Sequence, residues 1–182
     1  MFNLKLIEMK KSLLFCCIFI TSLTVFSQKP YSSAIGNRIE ANEGDNNLFF
    51  GVSYKHYAGE MKSFEFIALT NVYQNQITGI ELYGLFLYNI KLPDVPSNFR
   101  LVLGGGGSAG SWQWDNYVVG LTSKFGAEYT FNFMPINVEL DWKPVLNIVT
   151  EKDKHFWPIK FGATIRYTLK GIKGSSKSSK KR

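Results

Sequence analysis

Val119-Gly120-Leu121-Thr122-Ser123-Lys124-Phe125-Gly126-Ala127-Glu128-Tyr129-Thr130-Phe131 is the stretch that decides the architecture. Every second residue from Val119 onward is apolar, with Ser123 the one interruption, and the residues between are Gly120, Thr122, Lys124, Gly126, Glu128 and Thr130. Successive side chains of a strand point to opposite faces, so this period of two predicts a strand with one greasy and one polar face. The division recurs downstream. Ile136, Val138, Leu140 and Trp142 alternate with Asn137, Glu139, Asp141 and Lys143. Phe161, Ala163, Ile165, Tyr167 and Leu169 alternate with Lys160, Gly162, Thr164, Arg166 and Thr168.

Outward from these three, the pattern extends to eight segments: Ser33–Ala41, Asn47–Tyr57, Lys62–Asn71, Gln76–Leu92, Phe99–Gly110, Tyr117–Phe131, Ile136–Asn147 and Phe156–Leu169. The third and fourth are less regular, with Ile67, Leu69, Leu85 and Leu87 on the nominally polar face. Turn-forming strings separate the segments, among them Asn42-Glu43-Gly44-Asp45-Asn46, Ala58-Gly59-Glu60, residues 93–98 and Glu151-Lys152-Asp153-Lys154. An even number of strands joined by short connections predicts an all-β, antiparallel, up-and-down barrel.

Alternation leaves open which face is inside. A soluble barrel turns its apolar face inward, and a membrane barrel turns it outward. Room is the first criterion. The interior of an eight-stranded barrel is just wide enough for side chains to fill. Phe50, Val52, Tyr54, Phe64, Phe66, Ile80, Leu82, Phe86, Tyr88, Leu103, Val119, Phe125, Tyr129, Trp142, Phe161 and Tyr167 would overfill it, whereas the other face carries Gly36, Gly51, Gly79, Gly104, Gly106, Gly120, Gly126 and Gly162. Charge is the second. The polar face holds Arg38, Lys55, Lys124, Lys143, Lys160 and Arg166 against Glu40, Glu65, Glu81, Glu128, Glu139 and Asp141. A closed lumen requires such a match, because a buried charge without a partner is costly. The expected arrangement is therefore a transmembrane barrel with a lumen charge network of these twelve residues. Trp112, Trp114, Tyr117, Phe131, Phe133, Phe156 and Trp157 sit at segment ends, where aromatic belts at the membrane–water interfaces are expected.

The bulk numbers agree. The chain has 182 residues, 45% hydrophobic and 15% aromatic against 19% charged, too apolar for a disordered protein. Its net charge of +7 is concentrated at the ends: residues 170–182 hold six cations and no acid, and residues 1–27 are net +2, which leaves the body at −1. A basic nucleic-acid-binding face is thereby excluded. Lys10 and Lys11 precede an apolar run from Leu13 to Phe26, followed by Ser27 and Gln28, the make-up of a secretory signal peptide. Met9 is an alternative start to Met1. The expected division is a cleaved leader over 1–27, a barrel over 28–169 and a disordered basic tail over 170–182. Both cysteines, Cys16 and Cys17, fall in the leader, which leaves no thiol for a disulfide or a metal in the mature part.

Four stretches resemble small outer-membrane β-barrel proteins of the OmpA-like or OmpW-like superfamily: "AIGNRIE" from Ala34, "GVSYKHY" from Gly51, "LGGGGSAG" from Leu103 with "WDNYVVG" after it, and "VELDWKP" before a closing "FGATIRYTL". The resemblance implies the outer membrane of a Gram-negative cell, both termini periplasmic, with lipids and the barrel assembly machinery as partners. Members commonly end on an aromatic residue. Here the last strand ends at Leu169, with Tyr167 the available aromatic, and the basic tail follows.

Catalytic and binding motifs are sparse. Asp153-x-His155 resembles the Asp/His pair of omptin-type surface proteases, but Asp115 is the one further loop acid near enough in pattern to activate water, so a solvated loop histidine is expected. His56 has no evident partner in the sequence and reads as a strand-end residue. Gly104-Gly105-Gly106-Gly107 lacks the Lys-Ser/Thr signature and following helix of a phosphate loop and reads as a bend or narrow place in a strand. No ligand spacing calls for a metal or cofactor, and no enzyme activity is expected. The leading expectation is a structural or surface-interaction role with a lumen plugged by side chains. A narrow channel or lateral route for small apolar molecules is the alternative, and a soluble lipocalin-like ligand-binding barrel is the third.

Overall fold

The computed structural model describes residues 31–42, 47–73, 76–112, 116–149, 156–157 and 160–169. The expected leader, the basic tail, and the Asp153/His155 and Asp115 positions lie outside the described residues. The alternating segments form strands β1 (Ser33–Asn42), β2 (Asn47–Tyr57), β3 (Lys62–Tyr73), β4 (Gln76–Ile90), β5 (Phe99–Trp112), β6 (Asn116–Thr130), β7 (Ile136–Trp142), β8 (Val145–Val149), β9 (Phe156–Trp157) and β10 (Lys160–Thr168). Each pairs antiparallel with its chain neighbour from β1 to β7, and β10 pairs with both β7 and β1, which closes the sheet. β8 continues β7 along β6, and β9 pairs with β8 as β10 does with β7. The ten elements therefore build eight wall strands of a closed, all-antiparallel barrel. Closure leaves no continuous free edge.

The seventh expected strand is divided at Lys143-Pro144, for a plain reason. Proline has no N–H to give to the ladder. Ser123 N donates to the Pro144 carbonyl at 3.1 Å, but nothing can return from Pro144. The Thr122 hydroxyl stands in. Its Oγ1 lies 3.2 Å from the Ser123 carbonyl oxygen and 2.9 Å from that of Pro144. Backbone carbonyls away from water need such a partner. In the connection between β4 and β5, Asp94 adopts φ 64°, a left-handed turn conformation that short polar side chains tolerate.

The two faces divide as the alternation requires. The large apolar residues assigned to the outer face are mostly exposed, Phe125, Tyr129 and Phe161 among them, with Phe131, Ile136 and Val138 half-buried, while Lys124 and Glu128 are buried. Ile67, Leu69, Leu85 and Leu87 do face inward, so the irregularity of β3 and β4 is real. They join Phe49, Tyr83, Val102 and Val145 in an apolar cluster inside the barrel. Inward glycines make space for neighbours. A Cβ at Gly162 would meet Arg38 Cζ at 2.6 Å, so the absence of a side chain there is what admits the Arg38 guanidinium.

Candidate functional site

The hollow of the barrel contains the concentration of polar chemistry, and the twelve charged residues named from sequence are all buried in it. Adjacent wall strands place Glu128 and Glu139 directly opposite one another, a repulsive pair if left alone. Lys55 resolves it from across the lumen: its Nζ donates to Glu128 at 2.7 Å and to Glu139 at 3.1 Å. Arg166 forks to Glu139 at 2.9 Å and to Glu65, and its Nε donates to Ser53 at 2.9 Å. Lys124 reaches Glu65 at 2.5 Å, Glu139, and Asp141 at 3.4 Å. Arg38 grips Asp141 through both terminal nitrogens at 2.7 Å and Glu40 through Nε at 2.6 Å. Lys143 then donates to the same Glu40 oxygen at 2.6 Å.

The chain of contacts runs on to the far end. Lys143 Nζ lies 3.2 Å from the centre of the Tyr83 ring. The Tyr83 hydroxyl donates to Glu81, and Lys160 closes the series with Glu81 at 2.9 Å. Hydrogen-bonded ions thus cross the interior from wall to wall and link it from end to end. In a medium of low effective dielectric, contacts of this kind are strong when complete and costly when broken.

Three contributors were not anticipated. Arg100 is a seventh buried cation; its Nη1 donates to the Glu60 carbonyl at 3.1 Å and its guanidinium lies over the Tyr57 ring. Its shared parity with Gly104 on β5 was the signal for it. Tyr57 donates to Glu128, and Tyr31, just ahead of β1, does so at 3.4 Å. The two tyrosine rings meet edge to face at 4.9 Å inside the end of the barrel where β1 begins. Burial, and next the Glu128 carboxylate, push the Tyr31 hydroxyl well above its usual pKa, so it remains a donor.

His56 needs a correction, since it has a partner: its Nδ1 lies 2.8 Å from the Ser33 hydroxyl, which also accepts from Tyr54 at 3.3 Å. The register of β1 on β2 brings Ser33 opposite His56, which spacing along one strand could not reveal. No acid joins this pair among the described contacts, so it has two members of a nucleophilic triad at most. Gly104–Gly107 lies within β5, as expected of a strand. Of the expected belt residues with described side chains, Tyr117 and Phe133 are strongly exposed, and Phe131 packs between Tyr129 and Phe133.

An ionic interior inside an apolar exterior is the inverse of a soluble ligand-binding barrel. Known structures agree on the fold. The chain resembles a solved structure titled "De novo design of transmembrane beta-barrels", with a TM-score of 0.56 over 79% of this chain and 100% of that one, at 13% identity. At that identity the likeness is one of fold. No family model and no curated protein matches the chain.

Proposed function

We propose that the protein is an integral outer-membrane barrel of the small OmpA-like or OmpW-like kind, with a structural or surface-interaction role and no catalytic one. One observation carries the reading: ion pairs run through the hollow while Phe66, Leu82, Leu121, Leu140, Phe161 and Ile165 stand on the exterior, each more than half exposed. A continuous apolar surface of that extent is unfavourable in water and suited to hydrocarbon. Lys55, Lys124 and Arg166 cross the lumen, so large solutes have no path. In this reading the leader directs export, the assembly machinery inserts the barrel, lipids surround it and both termini face the periplasm.

Membrane fractionation combined with heat-modifiable gel migration tests the placement. The expected result is an outer-membrane protein that migrates faster unheated than boiled; a soluble fraction refolding without detergent would overturn it. Planar-bilayer recording tests the plug. No stable conductance steps are expected, and reproducible steps from refolded protein would replace the plugged barrel by a channel.

A further inference from the structure

Asn37 stands out on the exterior. It lies on β1 four residues from Ser33 and five from Asn42, at mid-wall, and is exposed. On that face its strand neighbours are Ile35 and Ile39, and its cross-strand partners are Val52 and Ile165. No side-chain hydrogen bond joins Asn37 to a described residue. Outward serine and threonine can return their hydroxyl to nearby backbone, as Thr70 does to the Gly79 carbonyl at 3.1 Å. An amide with two donors and an acceptor cannot satisfy itself that way in hydrocarbon, where unmet polar groups are costly.

We propose that this face is the contact between two copies of the chain, related by a twofold axis through Asn37, with each amide donating to the other's carbonyl. The inference rests on the membrane reading above. A twofold axis sets a residue against itself, and the carboxamide is a group whose donor and acceptor match a second copy of itself. Around Asn37 stand Ile35, Ile39, Val52 and Ile165, with Phe50, Tyr54, Tyr167 and Ala163 at the diagonals, so aliphatic and aromatic side chains would enclose the paired amides and keep them from lipid. The orientation is also fixed, because the next residue, Arg38, is held inward by Asp141 and Glu40.

The test uses the mature full-length chain in phosphatidylcholine vesicles, with energy transfer between labelled copies measured against the protein-to-lipid ratio. Saturable, concentration-dependent transfer is expected. Asn37→Val should weaken association about ten-fold with heat-modifiable migration unchanged, and Asn37→Gln should restore part of it. Asn37→Cys should cross-link on oxidation, whereas Val119→Cys on the far wall should not. Equal association of the native chain and Asn37→Val, or an inserted protein that stays monomeric at every ratio, would overturn the dimer and leave the membrane reading standing. A chain that fails to insert would remove both.

Discussion

The two sides of the lumen solve one packing problem in different ways. On the side of β1, β6, β7 and β10 the space is filled by ions: Arg38, Glu40, Lys124, Glu128, Glu139, Asp141, Lys160 and Arg166. On the side of β3, β4 and β5 it is filled by bulk against vacancy. The register sets Leu85 opposite Gly106 and Leu87 opposite Gly104, and a Cβ at Gly104 would lie 2.9 Å from Leu87 Cδ2. Glu65 and Glu81 flank the apolar cluster and draw Lys124, Arg166 and Lys160 from across the hollow. An apolar wall loses stability roughly in proportion to the volume removed. An ionic wall depends on completeness, since removing one member strands the others.

The largest effect is therefore expected from a substitution that changes almost no volume. Glu139 faces Lys55, Lys124 and Arg166 at once. Glu139→Gln should cost about 3–5 kcal/mol, the range for breaking a buried ion pair, read as a lowered urea midpoint in detergent or vesicles. On the apolar wall, Leu87 is fully buried, and Leu87→Ala should cost about 2–4 kcal/mol through the cavity left behind. A volume-conserving Leu87→Met should cost less than about 1.5 kcal/mol. If the isosteric Glu139→Gln proved milder than Leu87→Met, the distinction between the walls would collapse.

Glu128→Gln sharpens the comparison within the ionic wall. Lys55 keeps Glu139, and the Tyr57 hydroxyl, which meets Glu128 through Oε1, can still donate to the amide oxygen of the new side chain. The loss should be about 1.5–3 kcal/mol, that of a hydrogen bond to a charged group, and smaller than for Glu139→Gln in the same unfolding series. A larger loss would place Glu128, not Glu139, at the centre of the network.

Much of this was legible because a strand has a strict period and an eight-stranded hollow is narrow. Once Phe125 was assigned outward, Lys124, Gly126 and Glu128 had to be inward, and the same parity held on β7 and β10. What alternation could not supply was the partner of each ion. Lys55 meets Glu128 and Glu139 through the width of the barrel, a distance set by closure and not by any spacing in the chain. Tyr31 escaped because it precedes the first alternating segment, and Arg100 because a lone cation at a strand end looks like a solvated one. The apolar wall was visible only as a fault in the pattern. Ile67, Leu69, Leu85 and Leu87 broke the polar face, and the cause lay on adjacent strands, where small residues stand opposite them: Ser53 and Gly51 beside Ile67 and Leu69, Gly106 and Gly104 beside Leu85 and Leu87.

The smallest net effect should come from changing the most at once. Arg38 and Asp141 form a two-pronged pair at 2.7 Å, yet each also sits beside further ions. Arg38→Met alone leaves Asp141, among the described residues, with the 3.4 Å contact to Lys124 as its remaining ion pair, and should cost about 3–5 kcal/mol. Adding Asp141→Leu removes the stranded carboxylate, while Glu40 keeps Lys143 and Lys124 keeps Glu65 and Glu139. Apolar replacement of a complete buried pair is often neutral, so the double variant should lie within about 2 kcal/mol of the native chain, with the two changes strongly non-additive in a double-mutant cycle. That outcome would make this part of the ionic wall convertible to the kind built by β3–β5, so that its ions set the register of β1 on β10 and of β10 on β7 more than the depth of the fold. Additive losses would instead make the charged wall a source of stability in its own right, and the two sides of the lumen would differ in strength as well as in kind.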